Sequence, residues 1–306
     1  MKQKQIYVIG VDGGGTKTVA ALANLDGKIL KIVKAGSSHP RNLGLKKAIE
    51  NLAITIRKVL PKEGKILSTF IGLPAVAEEY KFKIGKIKRE LKKHKEISKI
   101  FKGKLIIDSD QKVAFRAGAD GDGVMLNAGT GCVCHGWKGK KEAHASGWGY
   151  LADEGGAFFV GQKVFQAILK NLDGRSSKTN LTRLVFKKMK VKNEEEFLNL
   201  IYRKPFEIVP KLSVFCDLAS KKGDRIAKEI MIEAAKEAIL AAKAVIKKLG
   251  FENEFPLVLV GGMFKSDIFS KEVKVKIKKI FPKVNFILLK KKPVIGAIKL
   301  AIESLK

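Results

Sequence analysis

Asp12, followed by Gly13, Gly14, Gly15 and Thr16, gathers a carboxylate, three glycines and a hydroxyl into one bend after an apolar stretch, 6–11, that reads as a strand. Glycine reaches positive φ and lets a backbone approach a ligand closely, so successive N–H groups in such a bend converge on an anion, phosphate above all. The spacing excludes a P-loop, which needs Gly-x-x-x-x-Gly-Lys-Ser/Thr. It equally excludes a dinucleotide turn, which needs Gly-x-Gly-x-x-Gly opening a helix. A strand follows instead: 18–25 is short, apolar and rich in β-branched and small residues, Asp26-Gly27 supplies a hairpin turn, and 28–34 alternates apolar with basic residues.

A second bend of the same kind, Ala128-Gly129-Thr130-Gly131, sits between apolar stretches at 124–127 and 132–137, and Lys138-Gly139 makes another tight turn after them. Gly15-Thr16 and Gly129-Thr130 occupy equivalent points of two meanders. Such repetition implies duplicated lobes facing each other across a cleft, with both turns converging on one polyphosphate. Three other blocks carry chemistry-bearing types: Asp108-Ser109-Asp110, the run from Gly147-Trp148 through Asp153-Glu154 to Gly155-Gly156, and Gly261-Gly262-Met263.

Each of these blocks has two readings. Asp110 precedes a helix expected over 111–119, so its carboxylate is either a proton acceptor or a helix cap, and the helix terminus stabilises its ionised form in both cases. Asp153 and Glu154 either reach a substrate or serve as N-cap and first-turn acids of a helix running through 158–169. Gly261-Gly262 either runs along a nucleotide or is a plain strand-to-helix turn.

Periodicity sets out the scaffold that must position them. A helix over 45–60, a strand over 65–73, a charged helix over 78–94 and a strand over 104–108 follow the first meander. After the second, the chain is mostly helical over 154–250 with a loop near 173–177; strands at 255–260 and 284–289 follow, and Pro293 opens a last helix. The expected class is α/β, resembling the duplicated RNase H-like lobes of an actin-like ATPase around a central cleft. The N-terminal lobe is 1–107, the larger C-terminal lobe with a helical insertion is 108–292, and the helix at 293–306 packs back on the first.

At 306 residues the chain suffices for two domains of ordinary size. No apolar run approaches the roughly 20 residues that span a bilayer and no signal-peptide pattern opens the chain, so a cytoplasmic protein with no membrane partner is expected. Cys132, Cys134 and Cys216 lack Cys-x-x-Cys spacing and a matching His cluster, and read as small reduced hydrophobes. The formal net charge is +31, yet the lysines spread from Lys46 to Lys306 instead of forming one aromatic-interleaved arm. Solvated faces account for them, with no specific nucleic-acid partner and only salt-sensitive non-specific binding.

In order, Asp12-Gly13-Gly14-Gly15-Thr16, Asp108-Ser109-Asp110, Asn127-Ala128-Gly129-Thr130-Gly131 and Gly261-Gly262 resemble the phosphate-1, catalytic-carboxylate, phosphate-2 and adenosine motifs of the actin, sugar-kinase and Hsp70 superfamily. The block from Gly147 to Gly156 resembles the Gly-Trp-Gly-x-x-x-Gly-Asp-Glu-Gly signature of N-acetylglucosamine kinases within the BadF/BadG/BcrA/BcrD ATPase family. With 210–224 and Pro293-Val294-x-Gly296-Ala297, the likeness covers nearly the whole chain.

The resemblance implies transfer of the ATP γ-phosphate to a hydroxyl of N-acetylglucosamine or a related hexose or amino sugar, with Asp110 as general base. It places ATP on Asp12, Gly13, Gly14, Gly15, Thr16, Lys17, Gly129, Thr130, Gly131, Gly261, Gly262 and Met263, the N–H groups of Gly14, Gly15, Gly129 and Gly131 being the phosphate donors. It gives Mg²⁺ to Asp12 through water. The sugar falls to His39, Asn42, Asp110, Ala128, Gly129, Gly147, Trp148, Asp153 and Glu154. A homodimer, and lobe closure on sugar binding, are further implications.

The chain departs from the family at three places. His39 stands where an Asn touching the sugar is usual, with Asn42 as its substitute; Ile71-Gly72-Leu73-Pro74 replaces a Gly-Leu-Ala-Gly type of turn; and Ala152 replaces a glycine. Two other functions fit less well. An ATPase activating a 2-hydroxyacyl-CoA dehydratase or benzoyl-CoA reductase needs iron–sulfur cysteines that Cys132 and Cys134 do not match. A sugar-responsive regulator needs a DNA-binding segment, and no helix-turn-helix pattern precedes Ile6.

Overall fold

The computed structural model describes residues 5–15, 17–74, 81–95, 97–98, 103–150 and 152–306, without the side chains of 41, 42 and 81–83. Thr16, the side chain of Asn42, Leu151 and the start of the helix expected over 78–94 lie outside the described residues. The chain forms two compact units, the first comprising Met1–Asp120 and Leu289–Lys306, the second Gly121–Leu288.

In the first unit β1 (Ile6–Gly13), β2 (Lys17–Ala23) and β3 (Ile29–Gly36) form the antiparallel meander. Helices α1 (Pro40–Leu43) and α2 (Leu45–Val59) lead to β4 (Lys65–Leu73), and α3 (Lys81–Lys93) leads to β5 (Lys104–Ser109), which runs straight into α4 (Asp110–Gly118). The strand order is β3-β2-β1-β4-β5, with β4 parallel to β1 and β5 parallel to β4.

In the second unit β6 (Gly123–Ala128), β7 (Cys132–Lys138) and β8 (Lys141–Ser146) repeat the meander. Five helices follow: α5 (Ala157–Leu172), α6 (Asn180–Met189), α7 (Glu194–Arg203), α8 (Pro205–Lys221) and α9 (Arg225–Leu249). Then come β9 (Phe255–Val260), a 3-10 turn at Gly262–Lys265, α10 (Asp267–Ile280) and β10 (Val284–Leu288), before α11 (Val294–Glu303) returns to the first unit. The order β10-β9-β6-β7-β8 repeats that of the first sheet, with the opening strand of each meander at its centre.

Alternation along β1 divides its side chains between two layers, as the period of a strand requires. Tyr7, Ile9 and Val11 face α2 and α3 through Leu52, Ile56 and Leu91. Val8, on the other side, meets Val113 of α4 and Ala297 and Ile298 of α11. Gly10 permits that second layer, since a Cβ there would lie 2.6 Å from the Ile298 backbone nitrogen. Helix α4 packs into the layer it shares with α11, and the first compact unit runs to Asp120. Buried Arg116 seals that layer, pairing with Glu303 and, at 3.0 Å, with Asp120.

The second unit packs α5, α8, α9 and α10 on one face of its sheet, around Leu126, Cys134, Phe197, Ala234 and Leu259. Strand β8 leaves no trace in the residue pattern, for a physical reason. Lys-Glu-Ala-His-Ala-Ser has no β-branched residue, and pairing with β7 at Cys134↔Ala145 and Gly136↔Ala143 makes it a strand.

Candidate active site

Asp12 stands near the end of the central strand of the first sheet. It is in register with Val19 of β2 and Gly72 of β4, and Gly72 is in register with Asp108 of β5. Gly72 leaves the middle of this row without a side chain, and α4 fills the space. A Cβ on Gly72 would lie 2.5 Å from Val113 Cγ2 and 3.2 Å from Asp110 Cα. Packing of the first turn of α4 over Gly72 brings Asp110 within electrostatic reach of Asp12.

Ser109, not Asp110, caps α4: its Oγ accepts from the Lys112 N–H at 3.2 Å, and Asp110 is the first helical residue. Asp108 is engaged elsewhere, accepting from the Ser109 N–H at 2.7 Å and pairing with Lys112 Nζ at 2.9 Å. Asp110 is thus the first helical residue and not the N-cap. Burial, then the charge of Asp12, push its carboxyl up to about 7 against hydrogen bonds from backbone N–H groups. Burial raises Asp12 to about 6, with Lys17 pulling the other way. Desolvated acids poised near neutrality are chemically able to hold a cation or take a proton at neutral pH.

The first glycine turn closes on itself, the Gly14 N–H donating to the Lys17 carbonyl at 2.9 Å. Ser37 Oγ and the Ser38 N–H both donate to the Gly14 carbonyl, at 3.1 and 3.3 Å. The second turn closes likewise, Gly129 N–H to Gly131 carbonyl at 2.9 Å, and its outward carbonyls cap a helix: the Ala157 N–H donates to Gly129 and the Phe158 N–H to Thr130, at 2.8 and 2.9 Å. The N–H groups of Gly14 and Gly129, expected to donate to phosphate, close their own turns in the structure. Gly15 and Gly131 have no such internal bond to another described residue.

Around the second turn the backbone is packed to contact. Gly156 lies so close that a Cβ would meet the Gly131 carbonyl carbon at 2.5 Å, and Gly261, at φ 108°, presses on the Ala128–Gly129 peptide. Asp153 is buried beside Gly131, whose hypothetical Cβ would meet Asp153 Oδ2 at 2.7 Å. Its Oδ1 accepts from Ser146 Oγ at 3.2 Å and from the N–H groups of Gly147 and Trp148 at 2.8 and 2.7 Å. Burial nonetheless leaves its carboxyl above the ordinary value.

The capping alternative for Asp153 and Glu154 therefore fails: Gly156 is the N-cap of α5, and the first turn of that helix holds no acid. Exposed Glu154 instead reaches Glu237 of α9, whose carboxyl is raised by burial and then by the Glu154 charge. Trp148 is 68% exposed, with its ring edge-on to His144 at 6.1 Å. His39 flanks the first turn, its Cδ2 3.7 Å from where a Gly15 Cβ would be. Ala128 and Met263 point their side chains into the core, Met263 alongside Phe264, so Gly261 and Gly262 form the exposed surface there.

Sequence reasoning passed over Gly72 as a device for seating α4 and Ser109 as its cap. The signal was present in Ser109, an N-cap residue type just before the helix, and in a glycine at the end of a buried strand. Among the described residues no group of three or more His, Cys, Asp and Glu side chains could hold a metal by itself, and no helix is long and apolar enough to cross a membrane. Cys132 and Cys216 are buried, with thiols pushed up by burial, Cys132 to about 12.

Two sheets of one strand order, each with a glycine turn after its central strand, define an actin-like ATPase fold of duplicated α/β units. The model of the BadF/BadG/BcrA/BcrD ATPase family matches residues 9–301, and the chain belongs to this family. It is 32% identical, over 96% of its length and 98% of the relative, to an N-acetylmuramic acid/N-acetylglucosamine kinase of Clostridium acetobutylicum. It is 30% identical, over 99% of both chains, to an N-acetyl-D-glucosamine kinase of Dictyostelium discoideum. A ROK family glucokinase from Streptomyces griseus, solved with glucose and AMPPNP, shares the fold at TM-score 0.60 and 14% identity, over 97% of this chain and 99% of that one.

Proposed function

We propose that the protein is an ATP-dependent carbohydrate kinase that phosphorylates a hydroxyl of N-acetylglucosamine or a closely related amino sugar. The curated relatives support the class, and the Asp12–Asp110 pair carries the chemistry. In-line phosphoryl transfer needs the phosphates held, their charge spread and the acceptor hydroxyl deprotonated. Asp110 takes that proton: capping by Ser109 leaves it available, and a carboxyl near 7 accepts and releases protons at neutral pH.

Hard oxygen donors suit Mg²⁺, and Asp12 is the residue that would hold it, through water. The ion, when bound, spreads the charge of the transferring phosphoryl group. Asp12 holding a cation would offset the Asp12 charge that raises Asp110. Gly15 and Gly131 present N–H groups to phosphate, with the Thr130 hydroxyl as a further donor and Lys17, which lowers the Asp12 proton affinity, as the nearby cation. Asp153 shapes the Gly147-Trp148 loop for the sugar through the three hydrogen bonds that its Oδ1 accepts. His39 and Asn42 complete the sugar contacts, and the homodimer belongs to the same reading.

A coupled ADP-release assay over glucose, mannose, glucosamine, N-acetylglucosamine, N-acetylmannosamine and N-acetylmuramic acid, with a no-sugar control, tests it. Turnover is expected only with sugar, and highest with an N-acetylated one. ADP release independent of every sugar would overturn the proposal.

A further inference from the structure

Ser38 differs from the other side chains around the first glycine turn. It is 0% exposed, and its Oγ has no hydrogen-bond partner among the described residues. The segment that carries it is otherwise fully tied down. Ser37 Oγ donates to the Gly14 carbonyl at 3.1 Å and accepts from the His39 N–H at 3.1 Å, Asn51 Nδ2 donates to the Ser37 carbonyl at 2.6 Å, and Thr18 Oγ1 donates to the Gly36 carbonyl at 2.8 Å.

The unsatisfied hydroxyl lies against the phosphate turn itself. A Cβ on Gly13 would sit 2.5 Å from Ser38 Oγ, 2.6 Å from Leu73 Cδ2 and 2.9 Å from the Gly72 carbonyl, so Gly13 leaves the hydroxyl room directly over its Cα. Buried polar groups almost always find a partner, and one that does not is disfavoured relative to an apolar group filling the same space. An alanine would satisfy the packing at this position. The hydroxyl is therefore explained by something other than the stability of the ligand-free fold.

Resting on the kinase reading above, we infer that Ser38 is a ligand-positioning residue whose hydroxyl donates to an oxygen of the substrates loaded at the Gly13-Gly14 turn. That oxygen is a sugar hydroxyl or a phosphate oxygen, and the two are separable. Neighbouring His39, beside Gly15, places the same segment along the outer side of the turn.

The test compares full-length wild type with Ser38→Ala and Ser38→Cys. It measures the ligand-free Tm, the KM for ATP and for the sugar the wild type uses, and the Kd for Mg·ADP by calorimetry. The ligand-free Tm is expected to match or exceed wild type, while one ligand weakens by about fivefold to tenfold, the worth of one hydrogen bond. A rise confined to the sugar KM assigns the sugar hydroxyl; a rise in the ATP KM and the Mg·ADP Kd assigns phosphate. All constants within twofold of wild type, or a lowered Tm or failure to fold in both variants, overturns the inference. The calorimetric arm needs no turnover, so with a titration of N-acetylglucosamine added it also decides the matter for a protein that phosphorylates none of the sugars: Mg·ADP and N-acetylglucosamine affinities both unchanged from wild type then overturn the role of Ser38 independently of the kinase reading.

Discussion

In the first unit, burial raises the proton affinity of Asp12 and of Asp110, and the Asp12 charge raises that of Asp110 further; in the second, Asp153 lies beside its turn with three donors on one oxygen. The sheets that carry them have the same strand order. The difference arises from what covers each turn. In the first unit the helix that follows the fifth strand packs over Gly72 and drives its leading acid towards Asp12. In the second a loop folds back on the turn, and Asp153 Oδ1 accepts the hydrogen bonds that hold that loop. One arrangement raises two carboxyls towards neutrality, and the other ties one carboxylate oxygen to loop donors.

Exchanging the acids for amides separates the two most sharply. Asp110→Asn should lower kcat by about 10²- to 10⁴-fold, the usual worth of a general base, without lowering Tm, since Ser109 carries the cap. Asp153→Asn keeps an oxygen that accepts the same N–H groups and should alter kcat by about tenfold or less, with the larger effect on the sugar KM. Equal losses in steady-state assays of the two variants would erase the distinction.

The glycines of the two turns extend it to stability. Gly13→Ala meets Ser38, Leu73 and backbone at once and should destabilise by about 1–3 kcal/mol in denaturant titration. Gly131→Ala meets only the end of Asp153 closer than 3.5 Å and should lose less stability, but should weaken sugar binding. A reversed order of midpoints would show that the second turn, and not the first, is the more tightly packed.

Acid titration isolates the first unit's pair. Activity, as kcat/KM, should rise with pH through the range of about 6 to 7 as Asp12 and Asp110 ionise. Stability should move oppositely. Both folded-state values lie above the unfolded 3.8, so the native state holds these protons more tightly; the resulting stabilisation is complete below about pH 4 and is lost as pH rises through about 6 and 7. Thermal melts of Asp110→Asn across this window should show a flatter slope than wild type. The smallest effect is expected of Trp148→Ala, within about 0.5 kcal/mol in stability because the ring is 68% exposed, with a severalfold higher sugar KM.

Much of this organisation was legible in the order of residues. The strand expected over 65–73 is β4, that over 255–260 is β9, and both glycine turns follow the central strands of their sheets. Alternation and apolar runs report directly on which backbone is buried, and glycine reports where backbones touch. Strand β8 was not legible, because its six residues carry no strand preference and pair only because β7 offers an edge. Nor could the capping roles be assigned: Ser109 and Asp110 are both good N-terminal residues, and only helix geometry shows which accepts the N–H of Lys112.

The sequence by itself determined the two turns, the acids near them and the repeated α/β order, because each depends on local spacing and period. Tertiary packing alone decided which acid is poised and which is bound. The seating of α4 on Gly72 and the burial of Asp153 against Gly131 join residues far apart in the chain. A carboxylate's proton affinity depends on the desolvation, charge and hydrogen bonds that such distant neighbours impose.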